Sequence, residues 1–228
     1  MLKLYVDLMS QPSRAVYIFM KKTKIPFETK LVNLAKGEHY TKEYATVNPF
    51  KLVPALDDNG FKLIESIAIL RYLCREYSVD DHWYPKDSKA QARVDEYLEW
   101  QHANTRLNCA MYFQHKFLIP KLFGREVNMK KVADFQTRME TVLEQFETVW
   151  LKDQPFVAGN KISIADIIAA CELEQPGMAG YDVYEGRPTL TAWMQRVREA
   201  LQPHYDEGHV IVNKIRTKQG LKTPGAKM

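Results

Sequence analysis

Cysteine is scarce in this 228-residue chain, with three at Cys74, Cys109 and Cys171. They stand too far apart for the close ligand pairs of a zinc site and are too few for a disulfide framework in a chain of this size. They read as reduced core thiols, which predicts a cytoplasmic setting and no metal. Long apolar runs are also missing: nothing approaches about eighteen uncharged apolar residues, and Lys3 and Asp7 break the first candidate. Neither a membrane span nor a secretion signal is expected. No repeat or low-complexity tract occurs. A basic face is absent too. The net charge of +4 comes from 32 Lys+Arg against 28 Asp+Glu, and Lys214, Arg216, Lys218, Lys222 and Lys227 crowd the stretch 214–228, which has no acid. That excess reads as a basic tail on a near-neutral body, which argues against a nucleic-acid partner. What the chain does have is 46% hydrophobic residues, enough for a core without staples.

Residues 2–8 alternate, with Leu2, Leu4, Val6 and Leu8 on one face and Lys3, Tyr5 and Asp7 on the other, a strand period. From Pro12 the period becomes helical, with Val16, Phe19, Met20 and Thr23 on one face, and a proline suits a first turn, where its missing N–H is not needed. "PFETKLVNL" (26–34) reads as a second strand, followed by a short polar helical piece. "LVPALDDNGFKLIES" then predicts two strands around a tight Asn-Gly turn. "ESIAILRYLCREY" spaces Ile67, Leu70, Cys74 and Tyr77 helically. The order β-α-β-α-β-β-α predicts an α/β domain over 1–77. Polar residues 78–89 read as a linker. Beyond them only helical periods occur, which predicts an all-α domain over 89–213.

The strand-to-helix junction carries Ser10, yet the G-x-S-x-G elbow of an α/β-type serine hydrolase is absent. A thioredoxin-like fold places C-x-x-C at this junction, where the helix N-terminus lowers a thiol pKa. Here the four residues are Ser10-Gln11-Pro12-Ser13. Disulfide exchange is excluded, but a hydroxyl there can donate to a thiolate that a ligand brings. A charge-assisted bond contributes about 1.5–3 kcal/mol and a pKa unit is about 1.4 kcal/mol, so donor plus dipole lower a ligand thiol by roughly one to three units. Val53-Pro54 precedes a hairpin strand, where a cis proline would turn the Val53 N–H and C=O toward an extended peptide. Glu65-Ser66 opens the third helix: Ser66 would hold a carboxylate at the positive end of the dipole and Glu65 an ammonium. His39 and Lys51 would take a carboxylate at the ligand's other end.

With these residues in place, the chain resembles the cytosolic glutathione transferases, specifically the theta class. "LYVDLMSQPSRAVYIF", "GEHYTKEYATVNPFKLVPAL", "ESIAILRYL", "WYPKD", "ARVDEYLEWQH" and "ISIADI" carry the resemblance in order and spacing over roughly residues 2–200. It implies a thioredoxin-like domain followed by an all-α domain, and Ser10 as hydrogen-bond donor to the thiolate of reduced glutathione, a co-substrate with no further cofactor. It implies glutathione contacts at His39, Val53, Glu65 and Ser66, with Gln11 adjacent. It also implies a homodimer paired through the third helix and helices of the second domain, and detoxifying conjugation of small hydrophobic electrophiles such as alkyl halides and epoxides. Two departures are visible. Leu52 stands where theta enzymes often carry a second lysine, leaving Lys51 as the cation there, and the chain ends in a short basic tail where some members have a longer segment closing the pocket.

Plainer readings compete with these. A serine before Gln-Pro is ordinarily a helix cap; Val53-Pro54 and Glu65-Ser66 in register favour a site. Tyr5 is the runner-up donor. Met9, Arg106 and Met111 are candidates for the electrophile pocket, with Trp100, Tyr112, Phe113 and Phe117 on the same helical stretch, where an aromatic stripe is more often core. Arg106, a cation on an apolar face, would stabilise a departing halide or sulfate. Ser163 and Asp166 have the spacing of a capping box, so Asp166 reads as structural. The final Ala-Lys-Met loosely resembles a peroxisomal address. The alternative from another class is a non-catalytic ligand-binding or adaptor module of the same fold.

Overall fold

The computed structural model describes residues 1–221. The first element, β1 (Leu2–Val6), buries Leu2, Leu4 and Val6 as the alternation predicts. It leads through Ser10 into α1 (Gln11–Lys22), which has Pro12 in its first turn and buries Val16, Phe19 and Met20. The strand β2 (Glu28–Leu31) pairs parallel to β1 and is shorter than the expected 26–34: Pro26 has no N–H to pair at one end, and at the other Leu34 N–H turns to the Asp7 carboxylate. A 3₁₀ turn at Glu38–Tyr40 and the one-turn helix α2 (Lys42–Ala45) follow, α2 capped by the Thr41 hydroxyl accepting from Tyr44 N–H. The hairpin β3 (Ala55–Asp58) and β4 (Phe61–Ile64) turns at Asn59 (φ 51°) and Gly60 (φ 98°), the positive angles that Asn-Gly accommodates. Strand order is β2-β1-β3-β4, with β1–β2 parallel and the other pairs antiparallel. The helix α3 (Ser66–Glu76) packs with α1 against this sheet.

The polar stretch after α3 is not a free linker. A 3₁₀ turn at Asp81–Trp83 buries Trp83, whose ring meets Phe19 edge-on at 5.6 Å, and His82 Nδ1 lies 2.6 Å from the Ile162 carbonyl. Next, α4 (Ser88–Gln101), α5 (Leu107–Phe113) and α6 (Ile119–Phe123) form one long rod, joined by π turns at His102–Arg106 and Gln114–Leu118. After it, α7 (Met129–Gln145) runs into a third π turn, and α8 (Ile164–Leu173), α9 (Pro188–Leu201) and α10 (His204–Lys218) complete the bundle. Every residue of α8 is buried, so it has no polar face to show. Its capping box is present, and Asp166 also accepts from Val157 N–H (2.8 Å) and Trp193 Nε1–H (2.9 Å). Asp166 is structural, as expected.

One expectation needs correction. The stretch expected to be a basic tail from 214 begins inside α10, and Arg216 is 1% exposed and ion-paired with Glu174. Charge counting along the chain cannot see a buried carboxylate that requires a counterion. Gly177 makes the approach feasible, because a Cβ there would fall 2.6 Å from Arg216 Nη1. Lys222, Lys227 and the terminal Ala-Lys-Met lie outside the described residues. The cysteines are free: Cys109 and Cys171 are buried and Cys74 half-buried, with burial pushing the Cys74 and Cys171 thiols up to about 12. Among the described residues no helix is long and apolar enough to cross a membrane, and no His/Cys/Asp/Glu cluster suits a metal.

Candidate functional site

Sheet register collects the expected site at one end of the first domain. Tyr5 of β1 faces Ala55 of β3, which faces Ile64 of β4. The chain leaving β1 toward Ser10, the Val53-Pro54 bond entering β3, and Glu65-Ser66 leaving β4 therefore share that end. Because β2 is parallel to β1, the segment toward His39 departs from it as well.

Ser10 is the N-cap residue of α1, with extended backbone (φ −83°, ψ 125°), yet its hydroxyl makes no capping bond. The plain cap reading therefore fails, and the oxygen stays available beside the helix N-terminus, where dipole and unpaired N–H groups favour negative charge. Backbone bonds fix its approach: Ser10 N–H donates to Asp7 O (2.9 Å), and the Asp7 carboxylate accepts from Met9 N–H (2.9 Å) and Leu34 N–H (2.9 Å).

The Val53-Pro54 bond is cis. The carbonyl just before it, on Leu52, accepts from Tyr44 Oη–H (2.6 Å) and Asn48 Nδ2–H (2.8 Å), which holds the loop while Val53 stays outside the strand ladder. Lys51 has a left-handed φ of 58°. Glu65 has φ 67°, unfavourable for a side chain with a Cβ and of the kind retained where surroundings enforce it, often at sites. Ser66 is buried as the first residue of α3, and Glu65, the N-cap residue, makes no side-chain capping bond. The His39 ring lies 3.9 Å from that of Tyr40, and its buried Nδ1 has no partner among the described residues.

Two expectations on the electrophile side change. Arg106 is not an isolated cation: its Nη1–H donates to Glu172 Oε1 at 3.0 Å, and Glu172 is 1% exposed. The partner comes from α8, so no spacing within the long rod reveals it. Burial raises the Glu172 pKa, while Arg106, Arg14 and Gln11 favour its charged form. Tyr112 and Phe113 are core, and Trp100 packs on Tyr97 and Trp150. Met9 is partly buried against the core, and Met111 is half-buried on α5. Tyr5, the runner-up donor, packs edge-on against Tyr44 (6.0 Å) and lines a cavity of about 700 Å³ between β2 and α2.

Three residues at this site escaped the sequence reading: Arg14, Glu172 and Gln175. Arg14 is wholly buried and donates from Nη1 to Leu8 O (2.9 Å) and Met9 O (3.1 Å), and from Nη2 to Cys171 O (3.0 Å) and Gln175 Oε1 (2.7 Å). The available signal was charge inside apolar helical runs, "SRAVYIF" and "IIAACELEQ".

Family models for the glutathione S-transferase N-terminal domain and C-terminal domain match residues 1–75 and 109–200. Glutathione S-transferase theta-1 of Bos taurus is 46% identical over 219 residues, covering 96% of this chain and 91% of that protein. Human glutathione S-transferase T1-1 in its apo form superposes with a TM-score of 0.91 at 44% identity, covering 99% of this chain and 93% of that one. Human glutathione transferase theta-2, solved in complex with glutathione and an unknown ligand, also gives 0.91, at 42% identity over 96% of this chain and 90% of that one. Sequence and fold agree along nearly the whole length, and the chain belongs to the theta class of the glutathione S-transferase family.

Proposed function

We propose that this transferase conjugates the thiolate of reduced glutathione to small hydrophobic electrophiles such as alkyl halides and epoxides, in cytoplasmic detoxification, and acts as a homodimer. The observation that carries the reading is the Ser10 hydroxyl, unspent on capping, at the α1 N-terminus and at the sheet end shared with cis Val53-Pro54 and Glu65-Ser66. The glutathione complex of human theta-2 supports the ligand.

On this reading residues 1–77 hold the tripeptide and residues 89–213 supply the pocket. Val53 pairs with the extended backbone of glutathione. Ser66 and the α3 N-terminus take its α-carboxylate, Glu65 its ammonium, and His39 and Lys51 the carboxylate at the far end, with Gln11 alongside. The thiol proton leaves to solvent, and Ser10 Oγ–H donates to the remaining thiolate. The sulfur attacks an electrophilic carbon and a C–S bond forms; a halide departs with the pair of the broken bond, whereas an epoxide opens with that pair left on the tethered ring oxygen, which takes a proton from solvent, and alignment of the two reactants adds to the effect of ionisation. Met9, Met111 and Arg106 border the electrophile.

The test is a titration of bound glutathione by thiolate absorbance in wild type and Ser10→Ala. A pKa below that of free glutathione in wild type, lost in the variant, supports the assignment; a pKa unchanged by the substitution overturns it. Binding of glutathione without turnover of any alkyl halide or epoxide would favour the non-catalytic module instead.

A further inference from the structure

A buried guanidinium is expensive unless its donors are satisfied, and no carboxylate bonds Arg14 among the described residues. Its Nη1 and Nη2 bonds run to one short segment and to one helix end: the Leu8 and Met9 carbonyls before Ser10, and Cys171 O and Gln175 Oε1 at and just past the end of α8, while Nε has no partner among the described residues. Gln175, itself 1% exposed, closes the triangle by donating from Nε2 to the Met9 carbonyl at 3.4 Å. The same segment is held from the sheet side by the Asp7 carboxylate. Residues 7–9 thus have few ways to move, and Ser10 is the next residue.

We propose that Arg14 and Gln175 form a clamp that sets where the Ser10 hydroxyl stands, so that a residue of the helical domain governs ionisation of a thiol bound on the α/β domain. The proposal rests on Ser10 being the thiolate donor. Neither clamp residue is placed against the sulfur; both are positioning residues. Their leverage comes from hydrogen-bond geometry, since a charge-assisted bond weakens steeply with lost length or angle. A shift of about 1 Å in a positioning group is enough to cost an enzyme roughly a hundredfold. The simple division, in which the first domain activates glutathione and the second only receives the electrophile, then gives way to an active-site serine mounted on both.

The clamp is tested with Gln175→Met, which keeps the bulk but removes both amide bonds, with the milder Gln175→Asn, which draws the amide back by one methylene, and with Arg14→Lys. Three quantities are read: thermal midpoint, KM for glutathione, and the bound-thiol pKa with the matching pH profile of kcat/KM. The expected result is a folded protein with KM for glutathione within about twofold of wild type and a thiol pKa raised by about one unit. Activity at a pH below both thiol pKa values then falls about tenfold and recovers at a pH above both, because a one-unit rise cuts the thiolate fraction tenfold only below both values. A lowered midpoint with a wild-type thiol pKa and pH profile would reduce the clamp to domain glue and overturn the proposal. Ser10→Ala, measured alongside, separates the two ideas. If it leaves the thiol pKa unmoved, the donor reading itself falls; if it alone raises the pKa, only the clamp fails.

Discussion

Arg106→Met removes the counterion of Glu172, and the consequence should depend on pH in a direction the structure sets. Glu172 is 1% exposed, and its Oε1 takes Arg106 Nη1–H at 3.0 Å. Burial already lifts its pKa, and Arg106 leads the groups that hold it down. Breaking a fully buried pair costs about 3–5 kcal/mol. The Arg106 side chain is 40% exposed, so water screens part of the pair and we expect about 2 kcal/mol at pH 8. Without Arg106 the Glu172 pKa climbs further, so the folded protein keeps a proton that the unfolded chain has lost. Stability then falls as pH rises through that interval, by up to about 1.4 kcal/mol per unit. Urea unfolding at pH 5 and pH 8 should therefore show a small deficit at the lower pH and the full deficit at the higher. The double variant Arg106→Met/Glu172→Gln, neutral and near-isosteric at 172, should recover most of it. An equal deficit at both pH values, or no recovery with glutamine, would refute the reasoning. The double variant also isolates any role of Arg106 toward a leaving group: turnover still low once the buried carboxylate is neutral is loss of the cation itself.

Two further outcomes follow from buried charge. His209 is fully buried, with no partner for Nε2 among the described residues; burial first, and then the charges of Arg14, Arg198 and Arg216, hold its pKa well below the ordinary value, opposed by its bond to the Tyr205 carbonyl. The unfolded chain takes up a proton below about pH 6.5 where the folded one does not, so this residue removes stability as pH falls, and His209→Gln should flatten the loss between pH 6.5 and 5 in denaturant titrations; an unchanged slope would show that His209 is not the group responsible. Arg216→Met leaves Glu174 buried, bonded by the Tyr184 (3.0 Å) and Tyr205 (3.1 Å) hydroxyls but without its cation, and should cost about 3–5 kcal/mol in the same assay. A loss below about 1 kcal/mol would mean that the end of α10 is dispensable to the fold.

What the sequence disclosed divides along a physical line. The strand alternation at Leu2, Leu4 and Val6, the turn at Asn59-Gly60, the cis bond before Pro54 and the box at Ser163 and Asp166 are local, each written within a few residues, and each is found in the structure. The pairings that organise the site are not local. Arg14 meets Gln175, Arg106 meets Glu172 and Arg216 meets Glu174, and no period or spacing links such distant positions. Yet the three share an address. Ten consecutive buried residues make α8 a central helix of the bundle; Asp166 is spent on its N-terminal cap, while Glu172 in its last turn and Glu174 and Gln175 just beyond it each face a cation from a different element. The sequence displays those charges as oddities in apolar runs. Only the fold shows that one helix end joins the serine's loop, the long rod at Arg106 and the last helix, which is why a change there should be read in the chemistry of the thiol as well as in stability.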